Sequence, residues 1–414
     1  MIVPPHVRLL LDALGVADAA SFRQYQPEDW HAAAALAMRA GVAPLLYHRL
    51  HSLAPQPDIP AEVADQLRRI YLASVVRMAR QFEQYGRVLG ALRAAGIPVI
   101  VLKGGHLGEC VYKNIAVRAM SDLDILVHET DLDQVATILA QLEYYPQLPH
   151  QVRFKARAGH HWNFVRRKTL LTVIEAHWTL LDPRLGIEVD DSGLWDRATE
   201  ARIAGAPVSV LSPPDLLLHL CLHAAVHSYN IGLRMGCDIA EVLRVFGEEM
   251  DWDGLVSRAH QWKASRSLCA GLWLAREAFR LQIPEAVLAS LDPLGLGVSR
   301  QRQLLGCILT QGMSVEAPGL PGETVGRFWA TRGWHRKIGF LLRRILLPAE
   351  DIASMYPAAP GSIKILLYYP ARIRDLVRRH GRIVWRLLTK DKPSLERAAR
   401  QTESNSLKDW LLSH

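Results

Sequence analysis

Two carboxylates, Asp122 and Asp124, stand one residue apart in Ser121-Asp122-Leu123-Asp124-Ile125-Leu126-Val127. The apolar run that holds them predicts a strand over Leu123–Val127, and strand alternation aims both acids at one face and Leu123 at the other. Carboxylates this close repel and raise one another's pKa, so the pair costs stability unless a cation offsets it. Mg2+ suits the role, a hard ion that takes carboxylate oxygens together with the phosphate oxygens of a substrate, and Mn2+ accepts the same ligands. A third acid, Glu175, interrupts the apolar stretch Val173-Ile174-Glu175-Ala176-His177-Trp178, within a strand predicted over Thr169–Trp178. Three acids on neighbouring strands fit in-line displacement at a nucleotide phosphorus. Asp122, Asp124 and Glu175 hold the metal, and Glu175 takes the proton of an attacking hydroxyl.

Upstream, Ile97–Leu102 reads as a buried strand running into Lys103-Gly104-Gly105, with a helix predicted over His106–Tyr112. Glycines at a strand-to-helix turn let backbone N–H groups approach a triphosphate with a helix N-terminus behind them. Lys103 and Arg118 are candidate phosphate ligands, the first a point charge and the second a fork. Ser121 either joins them or hydrogen-bonds its own turn. Candidate cleft residues are His177, on the face of Glu175; His161, in a basic stretch read as loop; His223; Arg234; and Asp238. His219, His223 and His227 recur every four residues on one predicted helix face, but Leu220 stands where a metallopeptidase helix needs Glu. Cleft lining or packing is their reading.

The elements that must position these residues run helical, then mixed, then helical. Asp29–Leu50 is helical and split by Gly41 and Pro44, Ala61–Ala95 is a long amphipathic pattern ended by Gly96, and Leu132–Leu142 is a helix beside the acidic strand. Further helices are predicted at Asp215–His227, Met235–Phe246, Trp252–Leu281 and Ile363–Leu388. The expected fold is α+β and mainly α: an N-terminal helical region (1–95), a small mixed-sheet core with flanking helices (96–211), a helical lobe closing the cleft (212–290), and a basic helical region (291–414). Half the chain is hydrophobic, which excludes a disordered protein. No apolar run approaches the roughly 18 residues of a membrane span, and no signal-peptide pattern opens the chain. The five cysteines are scattered without a CxxC pair, which argues against a disulfide framework or zinc ribbon and for a cytoplasmic location. Between Arg327 and Arg400, 17 Lys and Arg face 5 Asp and Glu, whereas the whole chain carries +8. The basic character therefore belongs to the C-terminal region, whose partner would be anionic.

Lys103-Gly104-Gly105 followed by Arg118-Ala119-Met120-Ser121-Asp122-Leu123-Asp124-Ile125-Leu126-Val127 resembles the bacterial uncharacterised nucleotidyltransferase family of the DNA polymerase beta-like superfamily. Glu175-Ala176-His177-Trp178 matches its acidic strand, and His219, His223 and His227 its histidine-bearing helix. The resemblance implies a transferase that moves a nucleoside monophosphate from an NTP, ATP by default, to a hydroxyl acceptor: a small molecule, a peptide or protein, or an RNA. It also suggests a role in peptide natural-product biosynthesis, lasso peptides included. The competing reading is a catalytically weak nucleotide- or peptide-binding regulatory module of the same fold. Two departures stand out: the superfamily prefers Gly-Ser where this chain has Gly104-Gly105, and commonly Asp where it has Glu175.

Overall fold

The computed structural model describes residues 3–15, 18–148, 159–166, 172–229, 232–292, 295–310, 334–335, 346–358, 361–388 and 405–413. Four helices come first: α1 (Pro5–Leu14), α2 (Pro27–Arg39), α3 (Ala43–His51) and α4 (Ala61–Ala94). Gly41, in the left-handed region at φ 69°, and Pro44, in the first turn of α3, separate α2 from α3. At the end of α4 the chain reverses through Gly96 at φ 74°, with Gly96 N–H donating to Arg93 O and Ile97 N–H to Leu92 O. A residue with a Cβ would be strained at that angle.

Seven strands form one mixed sheet: β1 (Ile100–Val101), β2 (Asp122–Leu126), β3 (Tyr144–Pro146), β4 (His161–Arg166), β5 (Val173–His177), β6 (Thr199–Ile203) and β7 (Ala206–Val210). Their order is β3-β4-β5-β2-β1-β7-β6, which puts the acidic strand β2 at the centre. It runs parallel to β5 and antiparallel to β1. Around and after the sheet come α5 (Lys103–His106), α6 (Leu132–Gln141), α7 (Asp191–Arg197), α8 (Pro213–Val226), α9 (Leu233–Phe246), α10 (Trp252–Gln261), α11 (Ser265–Phe279), α12 (Glu285–Leu291), α13 (Val298–Thr310), α14 (Ala349–Met355) and α15 (Ile365–Leu388). Of the described residues 63% are helical and the strands among them form this sheet, so α+β and mainly α is the observed class.

Two apolar cores divide the sheet's faces. Leu123 and Ile125 of β2 pack with α6 and with Met78, Phe82, Tyr85, Val88, Leu89 and Leu92 of α4. Leu126 of β2 and Ile100 of β1 join the other core, shared by α1–α3 and by α8 to α13. Alternation puts Asp122 and Asp124 on the Leu126 side. The acids therefore look toward the helical lobe.

Several expectations change in detail. The predicted Trp252–Leu281 helix is two, because Lys263 adopts φ 58° and the chain turns between α10 and α11. The stretch around His161, read as loop, opens a strand whose Trp162 and Phe164 are buried while its neighbours are not. The predicted His106–Tyr112 helix starts earlier, as α5, and continues as a π turn over Leu107–Val111. The hairpin β6–β7 turns on Ala204-Gly205, both at positive φ. Of the predicted Thr169–Trp178 strand, residues 169–171 lie outside the described residues, as do 311–333, 336–345 and 389–404 of the basic region. Among the described residues no helix is long and apolar enough to cross a membrane.

Candidate active site

Parallel pairing of β2 with β5 sets Asp124 directly opposite Glu175 and Leu126 opposite His177. Paired residues project to the same face, so Asp124, Glu175 and His177 converge. One ligand atom from each lies within 4.8 Å of the others. Lys103 Nζ donates to Asp124 Oδ1 at 2.8 Å, and His177 Nε2 lies 3.0 Å from the same oxygen and 3.5 Å from Glu175 Oε2. Lys103 holds a left-handed backbone, φ 38°, at the junction of β1 and α5. A strained non-glycine position persists only where its surroundings over-determine it, and the ion pair with Asp124 is such a surrounding.

The charges at the site are coupled. Burial alone would push Asp124 up, but the Lys103 ammonium and then His177 hold it well below the usual carboxylate range. Asp122, at the start of β2, is pushed up by burial and then by the charges of Asp124 and Glu175. Burial opposes the Lys103 charge, yet Asp124 more than offsets it, so this lysine stays protonated. The carboxylates differ in access too. Asp124 is buried, whereas the Glu175 side chain keeps 21% of its surface open.

Gly104 and Gly105 are buried, and packing explains them. A Cβ on Gly105 would sit 2.7 Å from Val101 Cγ1 and 3.3 Å from Leu123 Cδ1, and one on Gly104 would sit 2.7 Å from Met120 Sδ. The helix could not lie this close to the sheet with larger residues. That accounts for both glycines: the β-branched Val101 and the Met120 side chain fill the space. Gly105→Ala is therefore expected to destabilise the fold by about 1–3 kcal/mol through overpacking. Gly90→Ala, on α4 where nothing lies within 4 Å of the added carbon, should stabilise it by about 0.5–1 kcal/mol. Urea denaturation of the two variants reads both signs.

Arg118 is engaged elsewhere. Its Nε donates to Asp238 Oδ1 and Oδ2 at 2.8 and 2.9 Å, and its Nη1 to Ala119 O at 3.1 Å. Tyr112 Oη donates to Asp238 Oδ1 at 3.0 Å, and Arg234 Nη1 reaches Ala119 O at 3.2 Å. Arg118, Arg234 and Asp238 thus tie the approach to β2 onto α9. Ser121 is exposed just before β2.

His161 stands directly opposite His177 across β4 and β5, and His160 precedes it. Burial, then the neighbouring His177, lowers His161 to about 4 and His160 to about 3, so both are neutral near pH 7. On α8, His219 and His223 are lowered by burial and then by Lys103, the lysine paired with Asp124. Sequence reasoning missed the Lys103–Asp124 pair and Tyr112. Neither has a local signal, because each partner is distant in the chain. A groove of about 700 Å3 lined by Leu89, Arg93, Pro98, Arg202 and Ser209 contains none of these residues.

No curated protein and no solved structure matches the chain. The family described as uncharacterised nucleotidyltransferase matches residues 26–280, from the start of α2 to the end of α11. That match spans the carboxylates, Lys103, the paired strands β2 and β5 and the histidine face of α8, and on it the chain belongs to the uncharacterised nucleotidyltransferase family.

Proposed function

We propose that this protein transfers a nucleoside monophosphate from an NTP, ATP by default, to a hydroxyl acceptor, with Mg2+ required and pyrophosphate released. The observation that carries the reading is the register of Asp124 against Glu175, with His177 beside them, in a family of nucleotidyltransferases. A donor set rich in carboxylate oxygens fits a hard divalent ion, and Asp122, Asp124 and Glu175 would hold it. When bound, Mg2+ neutralises triphosphate charge and polarises the reacting phosphoryl group.

The protein's own groups then divide the work. Asp124 is buried and fixed by Lys103 and His177, which suits a ligand whose position must not vary. Glu175, the more open acid, can reach an acceptor hydroxyl and take its proton. Lys103, already protonated, meets the phosphates beside the Gly104-Gly105 turn and Ser121. His161, His177 and His223 line the cleft, and the ties of Arg118 and Arg234 hold the helical lobe over it. The basic C-terminal region would meet an anionic partner. The acceptor is a hydroxyl of a small molecule, a peptide or protein, or an RNA, and the family resemblance suggests a role in peptide natural-product biosynthesis.

A nucleotide- or peptide-binding module without turnover is the alternative, and three mutually repelling acids gathered at one position argue against it, because their repulsion costs stability. The test incubates the protein with each α-labelled NTP, Mg2+ and candidate acceptors, beside Asp122→Ala/Asp124→Ala. Label transfer or pyrophosphate release that needs Mg2+ and disappears in the double variant is the expected result. NTP binding indifferent to Mg2+, with no release of pyrophosphate, would overturn the reading.

A further inference from the structure

We infer a second ion-binding position, formed by His160, His161 and His177, that takes a borderline transition-metal ion such as Zn2+ rather than Mg2+. Each imidazole offers a ring nitrogen, and the three nitrogens lie within 4.8 Å of one another. The ring centroids are 4.5 Å apart for His160–His161, 4.8 Å for His161–His177 and 5.3 Å for His160–His177. The backbone holds this arrangement, because His161 pairs with His177 across the ladder and His160 O accepts from Trp178 N–H at 3.1 Å. The grouping is a product of strand register, not of a flexible loop.

Unsatisfied atoms point the same way. His177 is 1% exposed, and its Nδ1 has no hydrogen-bond partner among the described residues; His161 Nδ1 has none either. A buried polar atom left unpaired costs about 1–3 kcal/mol, so each such atom asks for an explanation. His177 Nε2 lies 3.0 Å from Asp124 Oδ1. With the Nε2 proton donated to that carboxylate, Nδ1 carries the lone pair. This is the carboxylate–histidine–metal relay by which proteins fix the tautomer of a metal-binding imidazole and raise its basicity.

Ligand type then selects the ion. Imidazole nitrogen favours Zn2+, Co2+, Ni2+ and Cu2+, whereas Mg2+ needs oxygen. Three protein ligands leave the fourth position of a tetrahedral ion open to water or a substrate oxygen, as in catalytic rather than structural zinc sites. On α8, His219 is buried and both its ring nitrogens lack partners among the described residues. The position shares His177 with the carboxylate cluster, but His160 and His161 belong to it alone, so substituting them tests it separately.

The experiment strips tag-free, full-length protein of metal with a chelator, dialyses it against Zn2+ in excess Mg2+, and measures bound zinc by elemental analysis. Co2+ titration followed by its visible d–d bands reports the ligand field. The variants are His160→Gln/His161→Gln and, as the carboxylate control, Glu175→Gln. The expected result is one Zn2+ per parent chain. In the double histidine variant, affinity should fall by more than the roughly 10–100-fold that losing an outer-shell partner costs, with loss of the tetrahedral Co2+ spectrum. Glu175→Gln should keep the ion. If the double variant does not fold by circular dichroism, the single His161→Gln substitution is read by the same Co2+ bands. No zinc retained by the parent, or zinc retained equally by the histidine variants, overturns the inference; zinc lost only in Glu175→Gln does so too and assigns the ion to the carboxylates. Failure of nucleotidyl transfer alone leaves the metal readout intact, so the two proposals fail separately.

Discussion

Replacing Asp124 with Asn should lower nucleotidyl transfer by at least about three orders of magnitude, some 4 kcal/mol of transition-state stabilisation, while the protein still folds. Asn keeps the shape of the side chain but removes the charge that pairs with Lys103 and that the proposed ion would share. Lys103 then faces only Glu175 and Asp122, the other two acids that sustain its protonation. The same variant has a signature in stability. In the parent the Asp124 carboxyl is held well below its ordinary range, with burial working against Lys103 and His177. A folded-state pKa below the unfolded one contributes stability that is present above the ordinary carboxylate range and lost as pH falls through the lowered value. Parent and variant should therefore differ most near neutral pH and converge in acid. Transfer assays at saturating NTP, with urea midpoints measured across the acid range, check both halves. Activity within tenfold of the parent would falsify the assignment of Asp124 to the metal position.

Asp238→Ala should cost about 3–5 kcal/mol of folding stability, the range for removing one partner of a buried ion pair. Asp238 is fully buried and Arg118 nearly so, 2.8 Å apart. Without the acid, Arg118 keeps its charge in a dry interior. Arg234 adds to the problem, since the Arg118 charge, ahead of burial, already lowers it. Tyr112 loses its acceptor at the same time. Replacing both partners, as Arg118→Met/Asp238→Leu, should recover most of the loss, because apolar side chains of similar volume leave no charge unpaired. Guanidinium denaturation of the parent and the two variants reads the loss and its recovery. A cost below about 1 kcal/mol for Asp238→Ala would mean that water reaches Arg118, and the tie between the sheet and α9 would be weaker than its geometry implies.

Much of the site can be read locally. Alternation within Asp122–Val127 is enough to put both acids on one face, since side-chain direction in a strand has period 2 whatever the strand pairs with. The same logic joins Glu175 to His177, and the long period of α4 and its glycine stop are equally local. β4 carried a usable alternation in Trp162-Asn163-Phe164, obscured by the histidines and basic residues around it. The two-residue spacing between β6 and β7 was a hairpin signal as well.

Amino-acid order by itself thus determined the faces that the candidate acids share and the α+β class. Tertiary structure alone decided which residues meet. It set Asp124 opposite Glu175 across a parallel pair, turned Lys103 onto Asp124, withdrew Arg118 into a bond with Asp238, and gathered His160 and His161 beside His177. The carboxylate pair is legible because its two residues are neighbours in one strand. Its partners are not, because strand register and helix docking depend on contacts between distant segments, and no local period encodes them.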